Sequence, residues 1–230
     1  MSFESVKLPT VADFFQNYKW DGRPWLIVGM GPTFSLRNDF DLSSYNILGL
    51  NKVCREMKVD ITQIIDFYIL DRVKETIFEN SKYLAMPYFP HFNCRPWMNM
   101  TVPNLLLRSE LLARFHNSQR LLVFNLITCP LKEIKGSPFV HARYFSAEAA
   151  VSLLANLGVK DIKLLGVDGG RERAKEFEDH GPCDPRGFDL QWEGINRSVE
   201  QFNLNIQHLV RNPDGLHSCQ ETAINDFRKG

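Results

Sequence analysis

Seven short apolar runs recur along the chain, at Trp25 to Gly29, Asn46 to Leu50, Ile64 to Leu70, Lys82 to Met86, Leu121 to Leu126, Asp161 to Leu165 and Leu204 to Val210. Most are continuously apolar instead of alternating, the mark of strands covered on both faces. Stretches with helical periodicity lie between several of them, most clearly at Ser146 to Leu157 and Asp189 to Phe202. Strand alternating with helix predicts an α/β fold, a Rossmann-like domain of three layers whose mostly parallel sheet of about seven strands carries helices on both faces. At ~150 residues per domain, one large domain or two small ones both fit the length. No repeat, no Ser/Gly/Pro linker and no charge block divides the chain, so residues 1–230 are read as one domain, either a whole protein or a module of a longer one. Loops beyond the carboxyl ends of parallel strands are where such a sheet builds a site. The long irregular segments 87–102, 127–142 and 167–188 are the places to look.

Charge narrows the class of partner. Lys and Arg total 27 and Asp and Glu total 27, for a net charge of zero, and no basic run stands out. A nucleic-acid partner gripped through its phosphates is not expected, and any anion site has to be local. The hydrophobic share of 44% suits a globular core. Five cysteines (Cys54, Cys94, Cys129, Cys183 and Cys219) lie far apart with no C-x-x-C pair, which reads as reduced thiols in the cytoplasm. The amino terminus lacks a signal-peptide pattern, and no apolar stretch reaches the ~20 residues of a transmembrane span. Peripheral contact with a membrane-borne substrate stays open.

The first strand runs into Gly29-Met30-Gly31-Pro32-Thr33-Phe34-Ser35. Glycines there let backbone approach a ligand, Pro32 can open a helix, and the Thr33 and Ser35 hydroxyls suit phosphate. The third small residue of the dinucleotide fingerprint is missing, Phe34 standing in its place, and no Gly-Lys-Ser/Thr of a P-loop follows. A tight turn without a ligand is the plain alternative. Asn51 ends the second strand, where a ribose contact belongs. Ser146 opens the helix to Leu157 as its expected N-cap, and Arg143 stands just upstream, together a candidate anion site. Asp168 and Asp71 fall at the carboxyl ends of expected strands, where an acid can orient a sugar, hold a metal or take a proton. As plain alternatives, Asp168 beside Gly169 is ordinary turn chemistry, and Asp71 with Arg72 a surface pair. Asp39-Phe40-Asp41 matches a metal-holding D-x-D but precedes a strand instead of following one. No histidine has ligand spacing, so no metal site is expected. His180, past the strand Asp161 to Leu165, is the histidine best placed for general base work, with His91 and His141 as rivals. The aromatic and proline-rich stretch Met86 to Trp97 reads as a pocket lining, a lid or a satellite core.

Together these features resemble a known family. A strand into Gly-x-Gly-Pro-Thr, an Asn closing the second strand, and the unit from Ser146 through Ala150, Gly158, Ile162 and Leu164-Leu165-Gly166 to Asp168 look like the bacterial sialyltransferases that use CMP-sialic acid, and like related flagellin-glycosylation domains. The resemblance implies a GT-A-like variant of the Rossmann fold and a cytoplasmic glycosyltransferase of polysaccharide biosynthesis. It would move a sialic-acid- or Kdo-like sugar from a CMP-linked donor to a hydroxyl of a glycan or glycolipid, with no obligatory cofactor. It implies further that Gly29, Gly31, Pro32 and Thr33 approach the nucleotide, that Asn51 contacts its ribose or phosphate, and that Arg143 and Ser146 lie near the donor. Met30 stands where the family has Asn. Asp184 stands at the position aligned with the family's catalytic histidine and His180 precedes it in the same loop, so His180, Asp168 and Asp71 all remain candidates for the base. Two other readings stay open: a Mg-dependent enzyme like the pterin pyrophosphokinases, and a non-catalytic nucleotide- or glycan-binding module.

Overall fold

The computed structural model describes residues 8–17, 22–92, 95–96, 100–127, 134, 136–180 and 187–209. Its centre is a sheet of eight strands: β1 (Trp25–Val28), β2 (Asn46–Leu50), β3 (Val59–Gln63), β4 (Ser81–Pro87), β7 (Leu121–Leu126), β8 (Phe139–Val140), β9 (Asp161–Leu165) and β10 (Asn205–His208). β5 (His91–Phe92) and β6 (Arg95–Pro96) form a separate two-stranded antiparallel hairpin. The spatial order of the large sheet is β10-β9-β1-β2-β3-β4-β7-β8, and every pairing in it is parallel.

Helices close both faces, as the continuous apolar runs require. On one face, α1 (Val11–Asn17), α6 (Ser146–Asn156) and α7 (Gln191–Phe202) cover a core that includes Ile27, Leu48, Phe124, Leu164 and Ile206. On the other, α2 (Ile69–Val73), α3 (Ile77–Asn80), α4 (Val102–Leu106), α5 (Glu110–Asn117) and several 3-10 turns cover Leu26, Val28, Leu84, Met86 and Leu165. Each such side chain, withdrawn fully from water, contributes about 1.5–3 kcal/mol. α6 is buried from Ala147 to Ala155, and its alanines let it lie close against the sheet. α7 ends at Asn203 in the left-handed conformation (φ 50°) that asparagine tolerates.

From β1 the chain works outward through β2, β3, β4, β7 and β8. It then returns through α6 to place β9 on the other side of β1. The carboxyl ends of strands at such a reversal, here between β1 and β9, are the usual place for a ligand in a sheet of this kind.

One expected strand is corrected. Ile64 to Leu70 is not a strand: β3 is Val59–Gln63, and Ile69–Val73 is α2. Ile64, Ile65, Ile69, Leu70 and Val73 are all buried, so their apolarity is real, but it serves the exit from the sheet and one face of a helix. Continuous apolarity does not separate these cases. Asp71 therefore stands exposed on α2 and not at the end of a strand.

Candidate functional site

Side by side at the reversal, the turns after β1 and β9 interlock. The Gly29 amide donates to Leu165 O at 2.8 Å and the Gly31 amide to Gly166 O at 2.7 Å. A Cβ on Gly29 would stand 2.3 Å from Gly166 O, and one on Gly166, itself at φ 69°, would stand 2.5 Å from Gly29 O. A Cβ on Gly31 would stand 2.5 Å from Asp168 Oδ2. These glycines are thus required by the other turn, a nearer reason than a ligand. Pro32 opens a 3-10 helix, Pro32–Asp39, at the position where an absent amide costs nothing. Asp168 closes the arrangement by accepting from the Thr33 amide at 2.8 Å and from the Thr33 hydroxyl at 2.5 Å, while that hydroxyl accepts from the Gly166 amide at 2.8 Å. Gly29, Gly31, Pro32, Thr33 and Asp168 therefore form one cluster, in which Asp168 fixes the shape of the turn.

A second cluster gathers at the ends of β2 and β3. Asn51 leaves β2 with φ 53° and brings its side-chain amide to 3.4 Å from Ser146 Oγ. Gln63, the last residue of β3, donates from Nε2 to Ser146 O at 3.1 Å. Its Oε1 is buried and has no hydrogen-bond partner among the described residues. An orphaned buried acceptor is costly. Two neutral amides, from the ends of β2 and β3, thus meet the first residue of α6, Asn51 at the Ser146 hydroxyl and the buried Gln63 at its carbonyl.

The start of α6 differs from expectation. Its N-cap is Phe145, and Ser146 is the first helical residue. The capping group is the carboxylate of Glu148, which reaches back to accept from the amides of Arg143 (2.9 Å), Tyr144 (3.1 Å) and Phe145 (2.9 Å). Glu148 is buried, and its burial pushes its carboxyl above the ordinary range against the pull of these amides. The three amides are thus filled by an internal anion. What is left for an external one is the Ser146 hydroxyl and the Arg143 guanidinium, which is 60% exposed and lies 3.6 Å from Glu193 Oε2. A surface pair this loose contributes ~0–1 kcal/mol, so a ligand can compete for Arg143.

Of the base candidates, Asp71 lies in the helix layer opposite α6. His180 ends a 3-10 segment, Lys175–His180, whose course is set by three anchors. The Ala174 amide donates to Met30 O at 2.9 Å, Glu176 takes Arg37 at 2.5 Å and Ser35 at 2.9 Å, and Asp179 takes Arg55 at 2.6 Å. The Arg55 hydrogen bond, helped by the charge of Lys52, holds the Asp179 carboxyl below its ordinary range. Asp184 lies outside the described residues. The rival His91 sits in the small hairpin, where burial lowers its pKa against the charge of Asp66, and the backbone of the other, His141, donates to Ser152 Oγ at 2.9 Å. His208 closes β10 with its ring 5.4 Å from that of Trp192, and burial lowers its pKa against the opposing charge of Asp168.

No group of three His, Cys, Asp or Glu side chains is placed to hold a metal among the described residues, and no helix among them is long and apolar enough to cross a membrane. A cavity of about 660 Å³ opens at the opposite, amino-terminal edge of the sheet, lined in part by Tyr45, Met57, Asp60 and Lys82. It is remote from both clusters.

Gln63, Glu148 and Lys52 did not emerge from the sequence. The misplaced strand hid Gln63, which becomes conspicuous once β3 ends on it. Glu148 carried a usable signal, an acid at the third position of a helix. Lys52 carried none.

No protein-family model matches the chain, and no curated protein does. Among solved structures, the chain is similar to the monofunctional α-2,3-sialyltransferase Cst-I of Campylobacter jejuni, at 14% identity and a TM-score of 0.48 over 91% of this chain and 80% of that one. It is similar also to an α-2,3/8-sialyltransferase, CstII, at 14% identity and a TM-score of 0.45 over 82% of each chain. A Cst-II complex with CMP gives 12% identity and a TM-score of 0.44 over 81% of each.

Proposed function

We propose that this protein is a glycosyltransferase that moves a sialic-acid- or Kdo-like sugar from a CMP-linked donor to a hydroxyl of a glycan or glycolipid. The observation that carries the reading is the meeting of Asn51, Gln63 and Ser146 beside the Gly29–Thr33 turn, with the Gln63 Oε1 left unpaired. A nucleoside monophosphate sugar presents hydroxyls, a base edge and, in the sialic acids, a carboxylate, which neutral amides and a hydroxyl recognise well. Arg143, at the border of this cluster, supplies the full positive charge a departing phosphate needs.

In the transfer, the acceptor oxygen bonds to the anomeric carbon as the bond from that carbon to the phosphate oxygen breaks. The electron pair leaves with CMP, and the acceptor proton passes to a base. Asp168 already accepts two hydrogen bonds from Thr33, so its role in this scheme is to hold the turn. His180 is assigned the base, because its segment runs from the first turn toward the end of β2. A monophosphate leaving group needs no metal to bridge two phosphates, so turnover is expected without one.

Incubation with CMP-linked sialic acid in EDTA tests the reading. Release of CMP, reduced about 10²- to 10⁴-fold by His180→Ala, is the expected result. Turnover of ATP alone, and only with Mg²⁺, would transfer the protein to the pyrophosphokinase class. Nucleotide binding with no turnover of any donor would make it a binding module.

A further inference from the structure

Lys52 is 2% exposed, an unusual position for an ammonium. It follows Asn51 in the 3-10 turn Asn51–Arg55, and burial lowers its pKa. A buried charge persists only where it is paired and hydrogen-bonded. Residue 179 supplies both partners: Lys52 Nζ lies 3.4 Å from Asp179 Oδ1 and 3.4 Å from Asp179 O. Arg55 takes the other carboxylate oxygen at 2.6 Å. The far side of the segment is held independently, through Glu176 to Arg37 and Ser35 and through the buried Phe177 ring, 4.8 Å from that of Phe34. Lys175–His180 is thus strung across the carboxyl ends of β1 and β2, and its β2 end rests on Arg55 and on the buried Lys52, which follows Asn51.

We propose that Lys52 is a positioning residue for the transfer reaction: its ammonium ties residue 179 to the end of β2 and so fixes where residue 180 stands relative to Asn51. Swinging the segment away would strip Lys52 of its counter-charge and its carbonyl together, so the segment stays seated. The proposal rests on the transferase reading for the role of residue 180, but the tie itself does not depend on it.

Hydrogen exchange of the nucleotide-free protein, read in peptides covering 175–180, is measured beside steady-state kinetics with the CMP-linked sugar for Lys52→Met, Lys52→Arg, Asp179→Asn and the Lys52→Met/Asp179→Asn pair. Exchange in this segment is expected to rise by about tenfold or more in Lys52→Met and Asp179→Asn, through local opening. The value of kcat is expected to fall about 10- to 100-fold, KM for the donor to stay within about twofold, the pair to be no worse than Lys52→Met alone, and Lys52→Arg to recover most of the loss. Unchanged exchange, additive losses in the pair, or faster exchange with unchanged kcat would each overturn the proposal. Should Lys52→Met fail to fold, Asp179→Asn, altered from the half-exposed side, decides the same question. A wild-type protein that turns over no nucleotide sugar would remove the transferase reading and with it the role of residue 180, while the exchange result still decides the tie.

Discussion

Gly29 and Gly166 meet backbone to backbone, and neither can gain a methyl group without moving the other's carbonyl. With a Cβ only 2.3 Å from Gly166 O, Gly29→Ala has to separate the turns after β1 and β9. The expected cost is about 3 kcal/mol of unfolding free energy in urea titrations, in the overpacking range, together with weaker nucleotide binding. A stability within experimental error of the wild type would contradict the interlock. At this scale the sequence is half informative. Gly-x-Gly-Pro-Thr announces a strand followed by a tight turn, and the structure has one. The reason for the glycines was illegible, because the atoms that demand them belong to Gly166 and Asp168, far along the chain, and only the sheet order makes them neighbours. Asp168 shows the same asymmetry: the end of its strand is readable, the two hydrogen bonds it accepts from Thr33 are not.

Among the elements, α6 depends on a carboxylate that arrives from its own first turn and packs against α7. Gly194 of α7 makes the room, since a Cβ there would fall 2.2 Å from Glu148 Oε2. Burial raises the Glu148 carboxyl above its ordinary 4.5, so the folded state holds this proton more tightly than the unfolded one. As pH falls from neutrality, the folded state takes up the proton first, and the stability contributed by this group grows until it is complete below the unfolded value. Urea unfolding across that range, compared between wild type and Glu148→Gln, should show the wild type gaining relative to the variant on acidification. A difference that is flat, or of opposite slope, would contradict the account.

Elements were legible where periodicity is unambiguous. β1, β2, β7 and β9 fall where their apolar runs predict, as do α6 and α7. Ile64 to Leu70 reads as a strand because a buried exit from the sheet and a short helix share the composition of one. The two-residue β8 and the hairpin of β5 and β6 are too short to leave a pattern.

Taken whole, the molecule is a parallel sheet whose order reverses at β1, and the reversal decides where chemistry can be. The net charge of zero required any anion site to be local, and the structure makes it more local still. The amides of residues 143–145 are filled by Glu148, so in the proposed transfer the positive charge for a phosphate falls to Arg143. Under the proposed function, recognition of the remainder of the donor falls to the neutral cluster of Asn51, Gln63 and Ser146. Alternation of strand and helix made the architecture readable from sequence; the meeting of these three side chains was not, since it depends on β2, β3 and α6 lying together in space. The central claim is that this meeting place binds a cytidine monophosphate sugar, and calorimetric titration of CMP in EDTA into wild type, Asn51→Ala and Gln63→Leu tests it most directly. The account predicts that the wild type binds without metal and that each variant weakens binding about tenfold, ~1.4 kcal/mol. Equal affinity in all three proteins, or no CMP binding alongside tight Mg-dependent binding of ATP, would contradict it.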